Sequence, residues 1–133
     1  MLLVDDDDLI QNSITAILEL LGHGVDVASS GEEALAKLET GIQPDVVILD
    51  MNMPGLGGRG TLPRLRALRP TLPVILSTGR IDQTTIELAE AHAHVTLLSK
   101  PFRIGELQEK LGAGAQWNKY GKLPISVATK PPS

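Results

Sequence analysis

Short apolar runs alternate with amphipathic stretches along the first 112 residues of the chain. After most of these runs, apolar residues recur every three or four positions, as Ile10, Ile14 and Ile17 do, and this period predicts an amphipathic helix. Alternation of five strands with five helices indicates an α/β fold with a doubly wound parallel sheet and helices on both faces. The predicted strands are residues 2–4, 25–27, 46–49, 74–76 and 95–98.

Polar residues and a proline indicate where two of the helices begin. Asp8 suits the N-cap of the first helix, with Gln11 at the reciprocal capping-box position. Pro63 is tolerated in the first turn of a helix, so Thr61 is the predicted cap of the third helix. A glycine-rich loop is then expected at residues 51–60.

The run at residues 46–49 lacks polar alternation, so we expect it to be a central strand buried on both faces. It ends in Asp50, at the carboxyl edge of the sheet, where open parallel sheets bind ligands. An isolated aspartate after a strand is usually a cap or turn residue. Asp50 is therefore a candidate functional residue only if the ends of other strands bring complementary polar groups to it.

The predicted strand order 2-1-3-4-5 would bring acidic residues from two strand ends together. Asp5 and Asp6 follow the first strand and would share a pocket with Asp50. Carboxylates at close range raise one another's pKa unless a cation neutralises them. Oxygen ligands with room for water suit Mg²⁺. The acidic residues therefore predict a magnesium site.

Ser77-Thr78 and Lys100 end the fourth and fifth strands, and we expect Thr78 and Lys100 on the opposite flank of Asp50. A metal and a lysine would neutralise the charge of phosphoryl oxygens, while Asp50 would be the nucleophile. The four polar strand ends together therefore predict phosphoryl transfer to a carboxylate.

Composition narrows the class of protein. The 133 residues suit one domain, and the formal net charge of −4 gives no basic footprint for DNA binding. The absence of cysteine excludes disulfides and thiolate metal sites. No apolar run reaches the length of a membrane span, so membrane insertion is not expected. The N-terminus has no basic segment before its apolar residues and four aspartates follow, so no signal peptide is expected and a cytoplasmic protein is the default.

Residues 113–133 are rich in Gly, Pro and Lys and show no period. We expect a tail, a linker or an expression remnant there, next to a folded domain at residues 1–112. Trp117 and Tyr120 leave open that this tail docks on the domain.

The motifs around these strand ends resemble those of CheY-like receiver domains of bacterial response regulators. The resemblance covers residues 1–112 and rests on Asp5-Asp6, on residues 47–54, on Thr78 and on Lys100-Pro101. It implies a flavodoxin-like fold and a phosphoacceptor that receives its phosphoryl group from a histidine kinase or a phosphotransfer protein. It also implies a switch in conformation and not a turnover enzyme.

The same resemblance implies a role for each site residue. Asp50 would be the phosphoacceptor, and Asp6, Asp50 and the backbone carbonyl of Asn52 would bind Mg²⁺ directly. Asp5 would help through water. Lys100 would contact the phosphoryl group from a cis Lys100–Pro101 peptide, and Thr78 would donate a hydrogen bond to a phosphoryl oxygen.

One departure affects signal output. Many receivers carry an aromatic residue three positions before the lysine, and here that position is Leu97. An aromatic rotamer switch is therefore not expected in this chain.

Two other classes compete with this interpretation. A phosphohydrolase of the haloacid-dehalogenase type needs an acid/base carboxylate two residues after the nucleophile, where this chain has Asn52. A flavodoxin-like cofactor binder would need a phosphate loop where residues 5–8 are all aspartate.

The sequence leaves open the oligomeric state and the presence of covalently linked domains. A monomer or weak dimer is expected. A start at Met1, almost inside the first strand, favours excision from a longer regulator or a hybrid histidine kinase with covalently linked domains.

Overall fold

A computed structural model of the protein describes residues 1–112. The strands are β1 (Leu2–Val4), β2 (Asp26–Ala28), β3 (Val47–Asp50), β4 (Val74–Thr78) and β5 (Val95–Ser99). The helices are α1 (Asp8–Leu20), α2 (Gly31–Glu39), α3 (Gly57–Leu68), α4 (Gln83–Glu90) and α5 (Ile104–Gly112). The predicted tail at 113–133, with Trp117 and Tyr120, lies outside the described residues.

All neighbouring strands are parallel, in the order β2-β1-β3-β4-β5. The predicted α/β fold class and strand order are therefore confirmed. Within residues 1–112, no helix combines the length and the hydropathy that crossing a bilayer requires.

The core lies in two layers, one on each face of the sheet. Leu49 packs in the layer formed with α2 and α3, where Leu62 and Leu65 are fully buried. The preceding residue, Ile48, packs in the opposite layer together with Leu18 of α1. Consecutive side chains of a strand point to opposite faces, so a strand covered on both faces needs continuous apolar sequence. This explains the lack of alternation in β3.

Two predicted helix starts, those of α1 and α3, are wrong. Asp7 caps α1 in place of Asp8, because its carboxylate accepts the backbone N–H groups of Leu9 and Ile10. Gln11 does not take part in a capping box and is buried in the interior.

Helix α3 begins at Gly57, not after Thr61, so Pro63 lies inside the helix. Gly58 permits this early start, since a Cβ there would lie 2.9 Å from Met51 Cα. Because Gly58 has no Cβ, the first turn of α3 packs directly on Met51, the residue after Asp50. Pro63 removes one intrahelical hydrogen bond but leaves the helix intact as far as Leu68.

Helices α2 and α3 pack closely together where Gly31 faces Thr61. A Cβ on Gly31 would lie 1.8 Å from Thr61 Oγ1 and 3.0 Å from Thr61 Cβ, and the Thr61 side chain is fully buried. Rotation of Thr61 would relieve only the first of these contacts. A glycine is therefore required at position 31 by the distance between the two helices.

We expect Gly31→Ala to lower the free energy of unfolding by about 1–3 kcal/mol, the range typical of overpacking. Urea denaturation measures this change. Gly105→Ala is the matched control, because nothing lies within 4 Å of its Cβ position and alanine favours the helix. Equal stability of Gly31→Ala and the control would show that the helices separate at little cost.

Candidate functional site

Asp50 is the last residue of β3 and is buried, with 4% of its surface exposed. Its register partner on β4 is Ser77, and the Met51 N–H donates to the Ser77 carbonyl at 2.7 Å. The Asn52 N–H donates to Asp50 Oδ1 at 3.1 Å. The end of β3 and the turn after it therefore fix the position of the Asp50 carboxylate.

Two more carboxylates from the end of β1 meet Asp50. Asp5, Asp6 and Asp50 each place one carboxylate oxygen within 4.8 Å of the others. Asp5 is buried and accepts the Asp7 N–H, whereas Asp6 is exposed. The predicted convergence of these three residues is what the structure shows.

Lys100 lies between two of the carboxylates and not on one flank of Asp50 as expected. Its Nζ lies 3.2 Å from Asp5 Oδ2 and 3.1 Å from Asp50 Oδ1. The Lys100 N–H donates to the Thr78 carbonyl, and the peptide to Pro101 is cis. The chain thus supplies its own cation to the acidic pocket.

Burial is the largest influence on the charge of Asp50 and raises its pKa above the usual aspartate range. The Asn52 N–H and the Lys100 ammonium oppose this rise, and repulsion from Asp5 adds to it. Repulsion between the carboxylates was expected to raise this pKa, but repulsion from Asp5 is the smallest of these influences.

The pKa of Lys100 is also raised. Burial disfavours its ammonium, but the attraction of Asp50 and Asp5 outweighs that effect. Lys100 therefore stays protonated between its two partners.

Thr78 is buried at the end of β4, but its hydroxyl is engaged locally. Thr78 Oγ1 donates to the Arg80 carbonyl at 2.9 Å and accepts the Arg80 N–H at 3.2 Å. In this state the hydroxyl makes no hydrogen bond with Asp50. A bond to a phosphoryl oxygen would require this hydroxyl to give up its hydrogen bond to the Arg80 carbonyl.

Gln11 is a supporting residue whose role the sequence did not reveal. Its amide donates to the backbone carbonyl of Asp5 and, at 3.1 Å, to Ser29 Oγ. These contacts tie α1 to the ends of β1 and β2. The available signal was its position seven residues before buried Leu18, on the inward face of the helix.

The donor set fits a hard divalent cation. All three clustered side chains offer carboxylate oxygens, the ligands that Mg²⁺ prefers, and exposed Asp6 leaves room for water. The arrangement can hold a cation beside a nucleophilic carboxylate and a lysine.

We expect Asp50→Asn to raise the free energy of unfolding at neutral pH in the presence of a metal chelator. A raised pKa means that the ionised Asp50 is disfavoured in the folded state, while Lys100 keeps Asp5 as a partner after the substitution. The gain in the free energy of unfolding is full at pH values above the raised pKa of Asp50. It disappears as the pH falls below the usual pKa range of an aspartate.

Urea denaturation at several pH values measures this dependence, with exposed Asp26→Asn as the control. A loss of stability in Asp50→Asn at neutral pH would mean that its ion pair with Lys100 outweighs burial.

Comparison with known proteins assigns the family. Residues 1–112 match the model of the response regulator receiver domain. The chain is 33% identical over 136 residues to the positive alginate biosynthesis regulatory protein of Pseudomonas aeruginosa, covering 100% of this chain and 52% of that protein. The chain spans about half the length of the curated relatives it matches.

Solved structures agree with this match. The response regulator TrrA of Thermotoga maritima, in complex with Mg²⁺-BeF, is 32% identical with a TM-score of 0.74, over 84% of this chain and 94% of that one. The receiver domain of sensor histidine kinase PA1611 from Pseudomonas aeruginosa, with a magnesium ion in its active site cleft, is 31% identical with a TM-score of 0.74, over 83% and 91%. The chain therefore belongs to the response regulator receiver domain family, the phosphoacceptors of two-component signalling.

Proposed function

We propose that Asp50 is the residue of this receiver domain that accepts the phosphoryl group. The observation that carries this proposal is the environment of its carboxylate. Asn52 and Lys100 both contact Oδ1, whereas Oδ2 takes no hydrogen bond within residues 1–112. Oδ2 is therefore the oxygen available to attack phosphorus, with Oδ1 held in place.

The donor is a phosphohistidine of a histidine kinase or phosphotransfer protein, or a small phosphodonor. Asp50 Oδ2 forms a bond to phosphorus while the bond from phosphorus to the imidazole nitrogen breaks. The electron pair of that bond stays on the nitrogen. Lys100 would contact the phosphoryl oxygens, and the distance of 3.1 Å from its ammonium to Asp50 Oδ1 supports this role.

Asp5, Asp6, Asp50 and the backbone carbonyl of Asn52 are the proposed magnesium ligands. Bound Mg²⁺ would supply positive charge to neutralise phosphoryl oxygens. Two similar solved structures that contain Mg²⁺ support this assignment, and the acidic cluster of this chain offers carboxylate oxygens, which suit that ion.

Modification would redistribute the charges of the pocket. A phosphoryl group adds about −1.5 to −2 charges and new acceptor oxygens. Lys100 would gain a partner stronger than Asp5, and Thr78 would gain an acceptor that competes with the Arg80 carbonyl. With half-buried Leu97 in place of an aromatic residue, this exchange of hydrogen bonds is the proposed start of the switch.

The domain is proposed to hold its phosphoryl group as a signal and not to turn over a substrate. Asn52, two residues after Asp50, has no proton to transfer as a general acid or base. The domain is proposed to be a monomer or weak dimer in the cytoplasm. It is also proposed to be joined to output or kinase domains in a longer polypeptide, which fits relatives about twice the length of this chain.

Incubation with magnesium and acetyl phosphate should add one phosphoryl group to the protein, and Asp50→Asn should abolish the addition. Intact-protein mass spectrometry measures both. Ser77→Ala is the matched control, because Ser77 is the register partner of Asp50 and its hydroxyl has no hydrogen-bond partner. Addition that persists in Asp50→Asn, or no addition to the parent protein, would falsify the assignment.

Magnesium should stabilise the parent protein against urea by about 2.7 kcal/mol at a free concentration 100 times its dissociation constant. Asp6→Asn should remove this gain, because the carboxylate of Asp6 belongs to the cluster. Asp8→Asn is the control, since Asp8 is also exposed but lies in the first turn of α1. An equal gain in both variants would place the metal elsewhere.

A further inference from the structure

A groove lies on the surface between α2 and α3, and none of the residues that line it belongs to the acidic pocket. Its volume is about 460 Å³, which lies within the range typical of ligand-binding clefts. Ala36 of α2 and Ala67 of α3 line it and are exposed, so these short side chains leave the space between the helices open. We call this feature the α2–α3 groove.

The middle of the α2–α3 groove is apolar. Leu35 of α2 is only 7% exposed, and it lines the groove together with half-buried Leu56 and Leu68 at the two ends of α3. An apolar groove on a protein surface is the usual docking site of an amphipathic helix, which lays its apolar face into it. The shape and the apolar lining therefore favour a helical ligand.

Three charged side chains line the same groove, and none of them forms an ion pair within residues 1–112. Glu32 and Glu39 lie on α2, Arg64 lies on α3, and all three are exposed. The two glutamates are seven positions apart, which is about two turns and about 10 Å along the helix. A complementary helix carries two cations at this spacing and an anion that faces Arg64.

A second copy of this chain does not offer the complementary charges. Among the described side chains, the large apolar ones exposed on a helix belong to α1, where Leu9 is 78% exposed and Leu20 is 87% exposed. The charged residues of α1 are both acidic, Asp8 and Glu19, so α1 would bring like charges to the glutamates of the groove. Two grooves placed face to face would leave both concave surfaces unfilled. The complementary ligand is therefore a different protein.

We propose that the α2–α3 groove binds an amphipathic helix of a partner protein. This helix carries two basic residues seven positions apart, which pair with Glu32 and Glu39, and large apolar residues between them that pack in the middle of the groove. An acidic residue beside the apolar ones pairs with Arg64. The binding requires neither Mg²⁺ nor a phosphoryl group, so its test is independent of the role of Asp50.

A designed peptide is the probe for this site. It is an alanine-based helix of about 18 residues, because shorter isolated helices are only marginally stable. It carries two lysines seven positions apart, two leucines between them on the same face and one glutamate beside the leucines. Fluorescence anisotropy of the labelled peptide measures its affinity for the full chain without Mg²⁺. We expect saturable binding that weakens as the salt concentration rises.

Charge reversal tests the predicted pairing. Glu39→Lys should lower the affinity for the probe by about tenfold, because a repulsion replaces an attraction. A second peptide, with glutamate in place of the lysine that pairs with position 39, should prefer Glu39→Lys over the parent protein; both lysine positions are tested. Glu90→Lys is the control, since Glu90 is an exposed acidic residue of α4 outside the groove. Circular dichroism checks the fold of each variant.

Filling the groove without a change of charge gives a second, independent measurement. Ala67→Phe should weaken binding of the probe, because the larger side chain occupies the space between α2 and α3. Ala16→Phe, at an exposed alanine of α1, is the matched control and should bind the probe as the parent protein does.

Four outcomes would overturn the proposal. The first is no saturable binding of the probe to the parent protein. The second is equal affinity of the parent protein and Glu39→Lys for both peptides, and the third is unchanged binding in Ala67→Phe, which would place the peptide elsewhere. The fourth is self-association of the parent protein in sedimentation equilibrium that Glu39→Lys abolishes, which would assign the groove to a second copy.

Discussion

The ammonium of Lys100 between two buried carboxylates is the interaction on which the site depends. Asp5 and Asp50 are each less than 5% exposed, and burying two like charges together is strongly unfavourable without a cation. Lys100 lies within 3.2 Å of both. The parallel sheet makes this possible, because β1, β3 and β5 all end at one edge and deliver the three residues from distant parts of the sequence.

This arrangement leaves the pocket ready for a change of partners. The positive charge of Lys100 is shared, so a new anion on Asp50 can draw it away from Asp5 without leaving a cation unpaired. The Thr78 hydroxyl can change partners in the same way. It donates a hydrogen bond to the Arg80 carbonyl, and a phosphoryl oxygen would be a stronger acceptor. Ligands that bind one arrangement more tightly shift the equilibrium between the two. This exchange of ion-pair and hydrogen-bond partners is the proposed start of the switch, with Leu97 in place of an aromatic residue.

The sequence predicted the features that depend on pattern. Continuous apolar sequence in β3 reflected burial on both faces, and polar residues at four strand ends predicted a shared site. The features that it did not predict depend on tertiary position. Asp7 and Asp8 are chemically alike, and only the path of the chain after β1 decides which one caps α1.

The start of α3 and the place of Lys100 were missed for the same kind of reason. Gly58 allows the first turn of α3 to approach Met51 closely, and only the packed structure reveals this contact. The helix therefore begins at Gly57, six residues before Pro63. The reach of the Lys100 side chain past Asp50 to Asp5 depends on the spacing of three strands. The local bond of Thr78 to Arg80 competes with the role expected from the family and cannot be read from residue types.

Asp50, and neither of the two acidic residues beside it, is the proposed carrier of the phosphoryl group. Reduction of the phosphorylated parent protein with borohydride converts an aspartyl phosphate to homoserine, which peptide mass spectrometry locates. We expect homoserine at position 50 alone. Homoserine at Asp5 or Asp6, or none in a protein that has gained a phosphoryl group, would contradict it.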